Sequence, residues 1–221
     1  RAGAVAIALN SKLAQGDYRH MLADSEARLL IADERLLAVL GPLAGELEAA
    51  RRLVPLRAWL QQAAAATPAA AAHDAQAEDP AFWLYSSGTT GRPKGIVHTH
   101  RSVLLAGQAQ REVVGLGAGD RIFNTSKLFF AYALENGLLG PLALGATAIL
   151  HADWVEVGEV EALLARQRPT AMFSVPTFYR RLLALPAERL APFRAVRHFV
   201  SAGERLPAQL QTDDLRSFGQ G

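Results

Sequence analysis

The sequence predicts an α/β fold, a doubly wound, mostly parallel sheet flanked by helices. Two observations predict it. Beyond residue 80, apolar runs of strand length alternate with segments of helix length, the pattern of consecutive βαβ units. The 221 residues are also 50% hydrophobic, enough to bury a sizeable core as one domain or two. No internal repeat of fixed period competes with this reading.

Before residue 80 the elements are short. A strand is expected over 5–9. A helix follows over 15–24, where Tyr18, Met21 and Leu22 recur at helical spacing. A second strand is expected over 28–32. Leu36, Leu37, Val39, Leu40 and Leu43 mark a helix interrupted near Gly41-Pro42, and 53–56 reads as a third strand. Residues 61–80 are rich in alanine and read as a linker. Thr67-Pro68 interrupts any helix there. The expected division is a partial N-terminal α/β subdomain over 1–60, the linker over 61–80, and a second α/β subdomain over 81–221.

In that last part strands are expected over 82–86 and 95–100, then helix 102–114, strand 121–125 and helix 131–144. Strand 147–151, helix 157–167, strand 171–175, helix 177–185, strand 198–201 and helix 207–217 follow. In open sheets of this kind, ligands sit outside the carboxyl ends of the strands. Three segments fall there: the loop after the first of these strands, 127–132, and 201–204.

The first segment is the most informative. Tyr85-Ser86-Ser87-Gly88-Thr89-Thr90-Gly91-Arg92-Pro93-Lys94-Gly95 gathers hydroxyls and glycines around two cations. Glycine lets the backbone approach a ligand closely. Successive N–H groups in such a turn form an anion-binding nest. Ser86, Ser87, Thr89 and Thr90 add donors, and Lys94 adds a mobile point charge. A polyphosphate is the ligand this chemistry suits. It is not a Walker A loop, which needs Gly-Lys-Ser/Thr opening a helix. Gly95-Ile96-Val97-His98-Thr99-His100 reads instead as a strand, so the expected layout is strand, loop, strand.

The string from Ser86 to Gly95 resembles the signature of the adenylate-forming, AMP-binding superfamily. Its members include acyl- and aryl-CoA ligases, luciferases and peptide-synthetase adenylation domains. The resemblance implies that the loop grips the β- and γ-phosphates of ATP. It implies catalytic roles for Lys94, Thr89 and Thr90, with Ser86, Ser87, Gly88 and Gly91 also holding the nucleotide. ATP, Mg²⁺ and CoA are the implied cofactors and co-substrates. The implied reaction has two halves: a carboxylate attacks the α-phosphorus of ATP, giving acyl-AMP and pyrophosphate, and CoA then displaces AMP.

A second segment, Ser126-Lys127-Leu128-Phe129-Phe130-Ala131-Tyr132-Ala133, narrows the resemblance. With the strand Gly145-Ala146-Thr147-Ala148-Ile149-Leu150, it is similar to benzoate-CoA and 4-hydroxybenzoate-CoA ligases. By that pattern Phe130, Ala131 and Tyr132 line the pocket of a small aromatic carboxylic acid. In amino-acid-activating relatives, the Asp that grips the amine falls on Tyr132. A phenol cannot neutralise a buried ammonium, so an α-amino acid is disfavoured. Many fatty acyl and coumarate ligases carry Phe-His where this chain has Phe129-Phe130, which also favours the aryl branch. The third segment ends Phe199-Val200-Ser201-Ala202-Gly203-Glu204. By resemblance, Ser201, Ala202, Gly203 and Glu204 contact the nucleotide, and Ala202 and Gly203 also face the acid. Ser174-Val175-Pro176-Thr177 matches a further family turn, with Thr177 a candidate helix cap.

Composition excludes other classes. Net charge is +2 with 20% charged residues, which gives no charge excess to recruit nucleic acid or an anionic membrane. There is no cysteine, hence no disulfide framework, thiolate nucleophile or Cys-based metal site. His98 and His100 share a strand face but lack a third nearby ligand, so no metal site is expected. The apolar stretch 136–150 is too short for a membrane span. A cytoplasmic ligase is expected. The family's Tyr-Gly-x-Thr-Glu and Tyr-x-x-Gly-Asp segments are not found in the sequence. A fragment of the large N-terminal domain, catalytically silent by itself, is therefore expected. Two alternatives stand beside the aryl ligase: a short-chain or fatty acyl-CoA ligase, and a non-catalytic nucleotide-binding module.

Overall fold

The computed structural model describes residues 3–47, 52–67, 71–86 and 92–205. The chain forms two compact units, Arg1–Thr99 and His100–Gly221. In the first lie β1 (Ala6–Ala8), α1 (Gln15–Asp24), β2 (Leu30–Ala32), α2 (Leu37–Leu40), β3 (Leu53–Pro55), α3 (Leu56–Ala65), β4 (Pro80–Ser86) and β5 (Lys94–Thr99). β2 and β3 pair in parallel. The other sheet has the order β1-β4-β5, parallel between β1 and β4 and antiparallel between β4 and β5. α1 buries Tyr18, Met21 and Leu22, the residues whose spacing predicted it. Tyr18 and Leu22 meet Leu30, Ala32, Leu40 and Leu43 in one apolar core.

The units divide after the expected linker, not within it. β4 and β5 belong to the first unit because β4 pairs with β1 along Ala6↔Phe82, Ile7↔Trp83 and Ala8↔Leu84. Residues 61–65 of the expected linker are the second half of α3. Alanine is the best helix former, and α3 stops at the cap Ala66, just before the Thr67-Pro68 interruption.

The second unit holds α4 (His100–Ala109), β6 (Arg121–Asn124), α5 (Ala131–Leu134), α6 (Gly140–Leu144), β7 (Thr147–Ile149), α7 (Val157–Gln167), β8 (Ala171–Ser174), α8 (Pro176–Leu183) and β9 (His198–Ser201). The helix expected over 131–144 is split by a π-helical turn at Glu135–Leu139, and α4 runs into another at Gln110–Val114. The wide turns leave main-chain groups for side chains. The buried Gln110 amide donates to the Asn136 carbonyl at 3.1 Å. The helix expected over 207–217 lies outside the described residues.

β7, β6, β8 and β9 form one parallel sheet in that order. Side chains alternate along each strand. Phe123 and Met172 face α7 and α8 in a core with Val160, Leu164 and Leu182. Ile122, Ala171 and Phe173 point the other way, onto Leu116 and Leu144. Both faces are therefore covered, and the α/β fold is observed. The chain leaves β6 towards β7 and leaves β8 towards β9, in opposite directions across the sheet. The connections thus diverge between the adjacent strands β6 and β8, a topological switch point where such folds bind ligands.

The opposite ends of the strands are fixed by charge. Asp120, 5% exposed, accepts from Thr170 Oγ1 and Arg197 Nη2, both at 2.5 Å, and from the Gly117 N–H at 2.8 Å. Burial raises its pKa, but the three donors outweigh it and hold the carboxyl below its ordinary value. A depressed folded pKa means stability present above the unfolded value and lost as pH falls through the folded one. Asp120→Asn is expected to cost about 1–3 kcal/mol at neutral pH. The deficit should shrink as pH drops below about 4. Urea titrations of both proteins across that range check it, and a deficit that does not change with pH rules the account out.

Candidate nucleotide and acid site

The first unit carries the strands that flank the sequence-predicted phosphate loop. β4 and β5 form its arms, with Ser86 directly opposite Lys94. The strand–loop–strand layout is as expected, with Lys94 opening β5 rather than a helix. Ser87, Gly88, Thr89, Thr90 and Gly91 lie outside the described residues. Ser86, Arg92 and Lys94 are exposed at the mouth of the loop, where a polyanion can reach them.

The base of the hairpin is fastened to α1. Tyr85 Oη lies 2.8 Å from Asp24 Oδ2 and 3.1 Å from the Met21 carbonyl. Burial, reinforced by Asp24, pushes its phenol well above the ordinary value, so it stays a neutral donor. His20 Nε2 lies 3.0 Å from the Pro93 carbonyl. A carbonyl only accepts, so Nε2 carries the proton. Gly95 explains the residue after the lysine. A Cβ there would stand 3.2 Å from Trp83 Cε3 and 3.4 Å from Tyr85 Cζ. A cleft of about 340 Å³ opens between α1 and the start of β5, with Asp17, His20, Arg92 and Pro93 among its walls.

The second unit carries the remaining site residues at the carboxyl ends of β6, β8 and β9. After β6, the Asn124 side chain accepts from the Ser126 N–H at 2.8 Å and turns the chain. Thr125 Oγ1 and Ser174 Oγ, both buried, are 2.5 Å apart across the switch point. Phe130 then opens α5, and its ring is 47% exposed. Ala131 is exposed beside it. Tyr132 reaches inward: its hydroxyl lies 3.2 Å from the Ser174 carbonyl and 3.1 Å from that of Val200. Its ring packs on Phe173 with centroids 6.3 Å apart. Burial raises its pKa well above the usual phenol value, so it is neutral at physiological pH. Tyr179, from α8, reaches the same Val200 carbonyl at 3.0 Å.

At the end of β9, Ser201 Oγ is buried without a hydrogen-bond partner. Ala202 N–H donates to the Ser174 carbonyl at 3.3 Å. Gly203 has φ +90°, a conformation that excludes a side chain without strain. Thr177 does not cap α8, since Val175 is its cap residue. Its hydroxyl donates instead to Glu204 Oε2 at 2.6 Å, fastening the turn after β8 to the loop after β9. The structure thus brings Tyr132, Ser201, Ala202 and Glu204 to one rim of the sheet. The sequence predicted those residues but not Thr125, Ser174 or Tyr179, which join them. For Thr125 and Ser174 a polar side chain at a strand end was the available signal; Tyr179, inside α8, offered none. At this rim the neutral phenols of Tyr132 and Tyr179 converge on the Val200 carbonyl.

Among the described residues no cluster of three His, Asp or Glu side chains could hold a metal ion. None of their helices is long and apolar enough to cross a membrane.

An antiparallel β4–β5 pair in the first unit and a four-stranded parallel sheet with a switch point in the second define an α/β protein. The chain belongs to the AMP-binding enzyme family, which matches residues 1–220. It is 45% identical over 233 aligned residues to a 3-hydroxybenzoate-CoA/4-hydroxybenzoate-CoA ligase of Thauera aromatica, covering 99% of this chain and 44% of that one. The benzoate CoA ligase of Burkholderia xenovorans LB400 superposes with a TM-score of 0.82 at 36% identity, over 93% of this chain and 42% of that chain. The anthranilate CoA ligase AuaEII, solved with anthranoyl-AMP, superposes with a TM-score of 0.83 at 31% identity, over 94% and 42% respectively. The chain thus spans less than half the length of each.

Proposed function

We propose that the chain is part of an AMP-forming aromatic acid:CoA ligase acting on benzoate or a hydroxybenzoate. The observation that carries this is the segment Phe129 to Tyr132, seated at the switch point of a chain similar to benzoate and hydroxybenzoate ligases. In the first half-reaction a carboxylate oxygen attacks the α-phosphorus of ATP and pyrophosphate leaves. Lys94 and the hydroxyls of 86–90 hold the polyphosphate that departs. Such chemistry needs positioning and charge neutralisation more than covalent help. Phe130, Ala131 and Tyr132, with Ala202 and Gly203, orient the aromatic ring. Ser201 and Glu204 stand toward the nucleotide.

In the second half-reaction the CoA thiolate displaces AMP. The described residues do not bring together the carboxylates that a Mg²⁺ site would need. We assign the reaction to the cytoplasm, where ATP and CoA are available.

ATP–pyrophosphate exchange on the full-length protein tests the reading, with benzoate, 3- and 4-hydroxybenzoate, a fatty acid and phenylalanine in parallel. Exchange driven by the aryl acids is expected. Exchange with the fatty acid alone would discard the aryl pocket and keep the chemistry. Silence with every acid would leave only a nucleotide-binding module.

A further inference from the structure

Lys127 is the only charged residue between Ser126 and Ala133, and the acid-pocket reading gives it no task. Its ammonium donates to the main-chain carbonyls of His151 at 3.2 Å, Ala152 at 2.9 Å and Asp153. Three successive carbonyls match the three donors of an ammonium. The Trp154 ring completes the seat, its centroid 5.7 Å from Nζ, within cation–π range. The contacts continue towards α5. Trp154 packs on Phe129 with centroids 6.1 Å apart, and Phe129 on Phe130 at 4.5 Å. The Lys127 carbonyl accepts from the Phe130 N–H at 2.9 Å. The Phe130 carbonyl in turn accepts from the N–H groups of Ala133 and Leu134 at 3.0 and 2.9 Å, closing the first turn of α5. One side chain thus ties the segment after β7 to the loop after β6, and that loop starts the helix bearing Tyr132.

We propose that Lys127 is a positioning residue for the aromatic acid: by fastening 151–154 to the loop after β6, it sets where Phe130, Ala131 and Tyr132 stand. This rests on the reading that those residues line the acid pocket. Lys127 does not touch the acid. It acts through the backbone on which the pocket residues are mounted, where small misplacements are costly in rate.

The test uses the full-length enzyme as wild type, Lys127→Met and Lys127→Arg. Methionine keeps an unbranched apolar stem and loses the donors. Arginine keeps the charge as a planar fork that cannot converge on three successive carbonyls. KM for benzoate and KM for ATP are measured separately, with amide hydrogen exchange over 126–134 and 147–156. In both variants KM for benzoate is expected to rise about tenfold or more, with KM for ATP within about twofold of wild type. Exchange should quicken in both segments. Unchanged KM for benzoate in both variants overturns the proposal. So does a lower melting temperature with both KM values unaltered, because that marks a purely structural lysine. A wild-type enzyme that activates no aryl acid overturns the pocket reading and this inference with it. An active wild type with indifferent variants overturns this inference alone.

Discussion

Phe173→Ala is expected to destabilise the protein by about 3–5 kcal/mol, the usual cost of emptying a buried phenylalanine site. Phe173 is 1% exposed in the middle strand pair of the parallel sheet, opposite Asn124 on β6 and Val200 on β9. Its ring fills the core between the sheet and Leu116, Leu144 and Tyr132. β8 is hydrogen-bonded on both sides, so its backbone cannot easily move to close the cavity. The Tyr132 ring also loses its partner, so aryl-acid affinity should fall together with stability. Equilibrium denaturation in urea reads the first effect, and acid KM at a temperature where the variant stays folded reads the second. A loss below about 1 kcal/mol would mean that the site collapses around the smaller residue, contrary to this packing.

Lys94→Ala in the full-length enzyme is expected to weaken ATP binding by about 1–3 kcal/mol, roughly five- to 150-fold in Kd. Lys94 is exposed and stands opposite Ser86 where the loop opens. Removing it leaves the hairpin arms intact but takes away a charge from the polyphosphate. Folding stability should therefore be almost unaffected. Lys94→Arg should recover part of the loss, because charge is kept while the donor geometry changes. Unaltered ATP affinity and exchange rate in the alanine variant would remove the lysine from the site.

Local pattern carried most of the fold. α7 and β9 run over the residues their apolar spacing marked, and so does α1. Errors arose where tertiary contacts override local signals. The stretch 131–144 reads as one helix, yet Gly137 comes so close to Asn124 that a Cβ would stand 3.0 Å from its Cβ. The helix widens there into a π-helical turn. The 3₁₀ run Ala187–Ala195 was not foreseen, since Pro192 sits inside it and breaks any helical periodicity. Alanine-rich 61–65 reads as linker because composition alone cannot separate a surface helix from a tether.

The proposed site residues rest on chemistry written in consecutive letters, from Ser86 to Gly95 and from Phe129 to Tyr132. Pairings between distant residues were not. Thr125 and Ser174 are 49 positions apart, and Lys127 finds its carbonyls 24–26 positions away. Main-chain acceptors leave no signature in a sequence at all.

That last property has an evolutionary consequence. Tyr132 is moored to the carbonyls of Ser174 and Val200, and a backbone oxygen survives every substitution of its own side chain. Lineages can therefore exchange the side chains of Ser174 and Val200, and reshape the loops that follow, without losing these two anchors. Selection for a new acid is then free to act one loop at a time. Relatives named for benzoate, hydroxybenzoate and anthranilate share this scaffold.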